Sequence, residues 1–358
     1  MKAGRAQNGS AGKRKIYTSK EGICMTARER FLKCMNFEKP DRLPMIEWAT
    51  WWDKTIDRWK EEGLEVEKYE GLNEWQAIHK TMGLDLQLQS WIGFKTEKTP
   101  VPAYHGAPLV ESMEDYEKIR PTLFPENPIN EDEMLLFAEK QKKGEAIVWI
   151  TLEGPFWGPR TLLGIENHLY AFYDEPELMH RINRDLCEYN KRVFDQVLTY
   201  LTPDFMTFAE DMSYNLGPMI SEKMFDEFML PYYKEMIPAI KKAGTKVFID
   251  SDGDISEPID WFARAGIEGI LPLERQAGVD LEALRLRHPD FLFIGHFDKM
   301  TMPHGEEAMR REFERLLPVM RQGGFVPSVD HQTPPGVSLE NYRIYLKLLK
   351  EYAEKAVL

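Results

Sequence analysis

Apolar runs that end in acids or histidines recur along this chain, each followed by a stretch of helical period. The clearest is Lys246-Val-Phe-Ile-Asp250-Ser-Asp252-Gly253-Asp254, a short buried-strand body running straight into carboxylates. Ala146-Ile-Val-Trp-Ile-Thr-Leu152 is another, closed by Glu153-Gly-Pro, and Asp204-Phe-Met-Thr-Phe-Ala-Glu210-Asp211 ends in paired acids. Gly269-Ile-Leu-Pro-Leu-Glu274, Phe291-Leu-Phe-Ile-Gly295-His296-Phe-Asp298 and Gly324-Phe-Val-Pro-Ser-Val-Asp330-His331 repeat the form. Earlier, Arg42-Leu-Pro-Met-Ile-Glu47-Trp48 reads as a first strand, and Leu84 to Trp91 alternates apolar and polar residues as a second. About eight strands are expected.

Helical segments lie between them. Thr26-Ala-Arg-Glu29 is a capping-box pattern followed by Phe31, Leu32 and Met35 on one face, with Pro40 as the stop. Trp51, Trp52 and Trp59 fall on a second helix, and a third spans 131 to 143 before Gly144. Residues 95 to 130 are rich in proline and charge and read as an insertion with little regular structure. Ser221 caps a long helix through Lys242, bent at Pro231. Further helices are expected at 256 to 265, 280 to 287, 304 to 321 and from Leu339 to the end. Strand–helix alternation with parallel-type apolar runs predicts an α/β fold: one (β/α)8 TIM barrel over residues 25–358 with an N-terminal helical cap. A doubly wound open sheet is the rival. It is disfavoured because polar strand ends occur along the whole chain rather than at one switch point.

Composition narrows the partners. A formal net charge of −13 over 358 residues argues against nucleic acid and anionic membranes. Local arginines could still hold an anionic substrate. Cys24, Cys34 and Cys187 are scattered, which disfavours a disulfide framework or a thiolate zinc knuckle and suits a reducing, cytoplasmic setting. No run approaches the ~18 apolar residues of a membrane span. Residues 1–24 carry six Lys and Arg against Glu21 and have no apolar core. They read as a disordered basic leader, with Met25 the expected natural start. No glycine-rich phosphate loop is found, so nucleotide binding has no motif behind it.

In a barrel, the carboxyl ends of all strands share one mouth, where Glu47, Glu210, Asp211, Asp250, Asp252, Glu274, His296, Asp298, Asp330 and His331 would gather. Asp250 and Asp252 share a parity and should face one side, with Ser251 opposite. Adjacent carboxylates repel unless a cation or a shared proton intervenes. Such a group could ligate a metal through O and N, or raise one carboxyl into a general acid. Bland roles compete: Asp254 or Ser256 as a helix cap, Asp211 as a structural acceptor, Asp298 paired with Lys299, and indoles serving helix packing. His331, after an apolar strand and before Gln-Thr-Pro-Pro, is the histidine best placed for chemistry.

Phe208-Ala-Glu-Asp-Met-Ser-Tyr-Asn-Leu-Gly-Pro-Met-Ile-Ser221 resembles the central signature of the uroporphyrinogen decarboxylase superfamily, which includes corrinoid-dependent methyltransferases. Similar segments are Phe248 to Ile255, Gly269 to Glu274 with Gly278-Val-Asp280, Gly295 to Lys299, and Gly323 to Pro335 with Leu339-Glu-Asn-Tyr342. The opening Arg28-Glu-Arg-Phe and Pro40-Asp-Arg-Leu-Pro44 are similar too. The resemblance implies a barrel and an enzyme acting on a small or aromatic substrate. The decarboxylase branch implies His331, Asp250, Asp252 and Glu210 as catalytic groups, and Glu47, Trp51, Tyr214 and Asp330 as substrate contacts. Its arginine-rich early segment is here Glu47-Trp-Ala-Thr-Trp-Trp-Asp53, and the acid after its second strand gives way to Ser90-Trp91-Ile92-Gly93. That departs from tetrapyrrole decarboxylation. The methyltransferase branch implies a corrinoid protein partner and zinc. Its ligand positions, a His-x-Cys pair and a late cysteine, fall on Asp250, Asp252 and roughly His331, so both thiolates are missing. Glu274 and His296 suit the O/N-ligated zinc of ether-demethylating members. Lyase-type decarboxylation is the first expectation, with no cofactor required. Methyl ether demethylation follows it, then a non-catalytic binding barrel.

Overall fold

The computed structural model describes residues 25–358, so the reading of residues 1–24 falls outside the described residues. Nine strands form: β1 (Leu86–Ile92), β2 (Ala146–Glu153), β3 (Phe205–Ala209), β4 (Ser213–Tyr214), β5 (Gly217–Pro218), β6 (Lys246–Asp250), β7 (Gly269–Leu271), β8 (Leu292–Phe297) and β9 (Phe325–Val329). Seven make one curled parallel sheet in the order β1-β2-β3-β6-β7-β8-β9, and β4 and β5 form a small antiparallel hairpin. Neighbouring strands follow one another in sequence apart from the inserted hairpin, with helices in the connections. Every residue of β3, β8 and β9 is buried, as expected of parallel strands covered on both faces.

Register carries one face of the sheet up to the site. Gln89, Thr151 and Thr207 lie on neighbouring strands; Gln89 Nε2 donates to Thr151 Oγ1 (2.8 Å), and the two threonine hydroxyls bond at 2.8 Å. Two residues further on, Ala209 pairs with Asp250 on that same face.

The segment expected as a first strand, residues 42–48, has no ladder of its own. It lies between the edge strands β1 and β9 and bonds to them largely through side chains. Asp85 N–H donates to Met45 O (2.7 Å) and Gln87 Nε2 to Glu47 O (3.3 Å) on one side. On the other, Trp48 N–H donates to Ser328 Oγ (3.3 Å) and Trp48 Nε1–H to Val329 O (2.7 Å). Pro44 has no N–H to give, and Asp85 and Glu47 carboxylates take the places of backbone acceptors. The arginines of the opening motif serve here as well. Arg30 and Arg42 both bond Asp85, and Arg30 also bonds Asp41.

Two further expectations are corrected. The insertion contains a helix, Met113–Ile119, capped by Ser112 and followed by a 3-10 turn at Arg120–Thr122. The bent helix after Ser221 is two helices, Glu222–Phe228 and Leu230–Lys242, broken at Met229 (ψ −49°, φ −122°), because Pro231 in the first turn lacks the N–H that would continue the ladder. Among the described residues no helix is long and apolar enough to cross a membrane.

Candidate active site

The carboxyl ends of the strands enclose a cavity of about 180 Å³ lined by Trp48, Trp91, Trp157, Ala209, Glu210, Asp211, Asp250, Asp252 and His331. Asp250 closes β6, and the chain continues through Ser251 to Asp252, so the two acids share the mouth side as their parity predicts. Ser251 turns the other way, where its hydroxyl accepts from Met212 N–H (3.2 Å).

His331 follows β9, and its Nε2 lies 3.5 Å from Asp252 Oδ2, an ion pair rather than a hydrogen bond. Trp48 meets the imidazole edge-on, with ring centres 6.4 Å apart, and is itself anchored to Val329 O. Glu274, just past β7, is held by Gly253 N–H at Oε2 (3.0 Å). One ligand atom each from Asp252, Glu274 and His331 lies within 4.8 Å of the others.

The electrostatics follow from burial and crowding. Burial, reinforced by Asp252 and Asp211, pushes the Asp250 carboxyl well above the usual carboxylate range, with His331 opposing. Burial and Asp252 raise Asp211 to about 6, against the pull of Arg160. Asp252 holds the His331 imidazolium above its ordinary value, although burial works the other way.

Several residues singled out from sequence have other work. Glu210 lines the cavity, but its carboxylate accepts from Phe156 N–H (2.8 Å), Trp157 N–H (2.9 Å) and the Tyr233 hydroxyl; burial raises it to about 8. Glu47 is fully buried and accepts from Ser328, Val329 N–H (3.1 Å) and Tyr342 (2.9 Å), tying residues 42–48 to β9. Asp330 is buried too, accepting from Lys299 Nζ (3.1 Å) and Arg275 N–H (3.1 Å). Lys299 therefore reaches Asp330 and not its neighbour Asp298, which instead caps the turn at Met300. Trp51 is 1% exposed inside a ring cluster with Trp59, Trp75, His79 and Tyr342. Tyr214 stands half-exposed in the β4–β5 hairpin, and its carbonyl accepts from Asp254 N–H (2.9 Å). Asp254 accepts from Ser256 N–H (2.9 Å) in a local turn, and neither residue is the helix cap expected of them, since the helix Pro258–Ala265 has Glu257 at its N-cap.

His296 does not join Glu274. Its backbone is left-handed (φ 67°), Nδ1–H donates to Leu273 O (2.8 Å), and Nε2 accepts from Arg315 (3.1 Å). Burial and the Arg315 charge lower its pKa to about 4, so it is a neutral, satisfied core histidine. Sequence reasoning also missed three tryptophans of the mouth. Trp91 carried a signal, a large indole at the end of an alternating strand; Trp48 and Trp157 were passed over as parts of longer motifs.

Parallel strands whose carboxyl ends gather acids, one histidine and indole walls define an α/β protein with a reaction-type mouth. Residues 80–352 match the profile of the family described as uroporphyrinogen decarboxylase (URO-D), and the chain belongs to that family. A solved structure described as a methyltransferase from Methanosarcina mazei has a TM-score of 0.63 at 14% identity, covering 92% of this chain and 99% of that one. At that identity the likeness is one of fold. A B12-independent methionine synthase from Shewanella sp. W3-18-1 in complex with selenomethionine is more distant, with a TM-score of 0.39, 16% identity, and 61% and 65% of the two chains covered. A comparison with curated proteins finds no match.

Proposed function

We propose that this chain is a methyltransferase of the family, built on a (β/α)8 barrel that residues 42–48 close, and that it takes a methyl group from a small substrate for transfer to a corrinoid protein. The carrying observation is the convergence of Asp252, Glu274 and His331 from three different strand ends. One imidazole nitrogen and two carboxylate oxygens are donors zinc accepts, and three protein ligands leave a position open for substrate. Gly253 N–H orients Glu274 as outer partners of ligands do. The donor set fits zinc without thiolates, whose positions are taken by Asp252 and, roughly, His331.

When bound, zinc supplies Lewis acidity to the heteroatom that carries the methyl group. The chain's own residues do the rest. Trp48, Trp91 and Trp157 wall the cavity. Asp250, whose carboxyl burial and the neighbouring Asp252 and Asp211 push well above the usual carboxylate range, can carry a proton to the departing heteroatom. Asp211 stays beside it under the control of Arg160.

Decarboxylation is the second reading, favoured by the same raised Asp250 carboxyl. There the bond to the carboxylate carbon breaks, the electron pair stays on the substrate carbon, and the Asp250 proton replaces departing carbon dioxide. No Lys or Arg lines the mouth, so a substrate carboxylate would have only acids and His331 to meet there. That weighs towards methyl transfer. Metal analysis of the purified protein tests the choice. Stoichiometric zinc, lost in Glu274→Gln and His331→Ala, is expected. A metal-free protein that releases carbon dioxide from a carboxylated substrate would overturn the reading.

A further inference from the structure

Beside the mouth lies a second cavity, of about 420 Å³, whose lining includes Lys95, Tyr104, His105, Trp157, Arg160 and Thr161. Trp157 lines both cavities, so one indole is the wall between them. Arg160 spans the same boundary. Its guanidinium sits 5.2 Å from the Trp157 ring centre and bonds Asp211 Oδ2 (3.3 Å) and Asp211 O (3.1 Å).

This second cavity runs against the sign of the whole chain, which carries −13. Two cations line it, and no Asp or Glu does. Lys95 Nζ donates to Thr161 O (3.1 Å), and among the described residues it has no ion-pair partner within 4 Å. The carboxylate whose field it feels is Glu153, which burial lifts to about 7 and whose Oε2 has no hydrogen-bond partner. Lys95 is thus a partly buried ammonium that spends one donor on Thr161 O and has two left. His105 is the other titratable side chain on this wall besides Tyr104.

The cavity is also built rather than incidental. Its outer wall is the proline-rich insertion around Val101–Ala107, which has no role in the mouth. Backbone bonds fasten that insertion to the helix Trp157–Leu163 and to the start of the next helix, Ile165–Asp174: Ile165 N–H to Gly106 O (3.2 Å), Leu109 N–H to Leu162 O (2.8 Å) and Val110 N–H to Leu162 O (3.1 Å). Gly164 permits the close approach, since a Cβ there would come within 2.6 Å of Gly106 O.

We propose that this cavity is an anion subsite for the substrate, in which a carboxylate or phosphate seats between Lys95 and Arg160 while the reacting end passes Trp157 into the mouth. The inference rests on the mouth being the reacting centre. It adds that the substrate is an anion held by its far end, on a flat body suited to the Trp157 and Tyr104 rings. An anionic handle gripped outside the mouth is kept throughout the reaction, which removes the conflict between an acidic cup and an acidic substrate.

Equilibrium binding to the full chain, followed by tryptophan fluorescence and calorimetry, tests this with benzoate, phenyl phosphate and neutral benzamide. At least one anion is expected to bind about tenfold or more tighter than benzamide. Lys95→Met should remove that preference with benzamide binding and melting temperature unchanged, and Lys95→Arg should retain it. Preference for phenyl phosphate over benzoate assigns a phosphate handle, and the reverse a carboxylate. Equal binding of benzamide, absence of binding by both anions, or an intact preference in a folded Lys95→Met protein overturns the subsite. Repeating the titrations on chelator-treated protein separates the two claims: anion preference without any zinc affinity sinks the metal reading alone, and zinc binding without anion preference sinks the subsite alone.

Discussion

Nε2 of His331 and Oδ2 of Asp252 face each other at 3.5 Å, brought from the ends of β9 and β6, and Glu274 completes the group from β7. None of the three is fully buried, so an ion could reach them. Glu274→Gln and His331→Ala should each weaken zinc binding by about a hundredfold or more, beyond the loss seen for outer-shell changes. His296→Ala should keep its zinc and lose stability instead, by about 1–3 kcal/mol, because Arg315 loses a buried acceptor. Metal stoichiometry and denaturant melts on the same preparations read both. Zinc loss in the His296 variant alone would show that the ligands were assigned wrongly.

Buried carboxyls give the chain an inverted pH profile. Glu47 titrates at about 7 and Glu210 at about 8 in the folded protein, both raised chiefly by burial from an ordinary 4.5. The folded state therefore binds protons that the unfolded chain has released. The stability they contribute is complete below 4.5 and is lost as pH rises through about 7 and then about 8. A tenfold change in proton affinity is worth about 1.4 kcal/mol, so each group costs the folded state a few kcal/mol once ionised. Melting temperature should fall from about pH 6.5 to about pH 8.5, above the range in which the buried neutral His168 and His296 act in the opposite sense, with a shallower fall in Glu47→Gln. A melting temperature that is flat or rising over that window would contradict these assignments.

Gly253 holds the mouth together at a backbone position few residues tolerate. Its φ is +81°, and a Cβ would lie 2.6 Å from Ser213 C and Tyr214 N in the β4–β5 hairpin. Gly253→Ala should destabilise by roughly 2–3 kcal/mol and, by shifting the N–H that holds Glu274, weaken zinc binding as well. Gly63→Ala is the control, with φ +94° but nothing within 4 Å. It should cost only about 1 kcal/mol and leave zinc untouched. Chemical denaturation and zinc titration of the pair discriminate strain from collision.

Asp85 accepts from Arg30 Nη1 (3.1 Å), Arg42 Nη1 and Nη2 (both 2.8 Å) and Met45 N–H (2.9 Å). With 8% of its side chain exposed, it is the anchor of residues 42–48 against β1. Asp85→Ala should cost about 3–5 kcal/mol, since guanidinium charge stays behind in a half-dry setting. Urea unfolding measures it. A loss under about 1 kcal/mol would reduce the arrangement to an ordinary surface pair.

Six apolar runs closed by polar residues, with the alternating Leu84–Trp91, were enough to specify the seven strands of the main sheet and their parallel order. Buried parallel strands must be apolar along their whole length, so they stand out without any partner in view. Parity along one strand likewise put Asp250 and Asp252 on one side with Ser251 opposite, because a strand's alternation is a local property. The capping boxes and the resemblance to the family were local in the same sense.

Which polar strand ends share a site was settled only by folding, because distance between chain-remote groups is not written in either segment alone. Glu47, Glu210, Asp330 and His296 look in sequence like Asp250, Asp252, Glu274 and His331. The first four meet donors from other elements, among them Tyr342, Phe156 N–H, Lys299 and Arg315, and are spent on structure. Of the last four, Asp250, Asp252 and His331 line the cavity with side chains not spent in this way, and Glu274 stands beside Asp252 and His331. Trp48 and Trp51 divide in the same way, one at the cavity and one sealed among rings, because they lie three positions apart and a helix begins at Asp53.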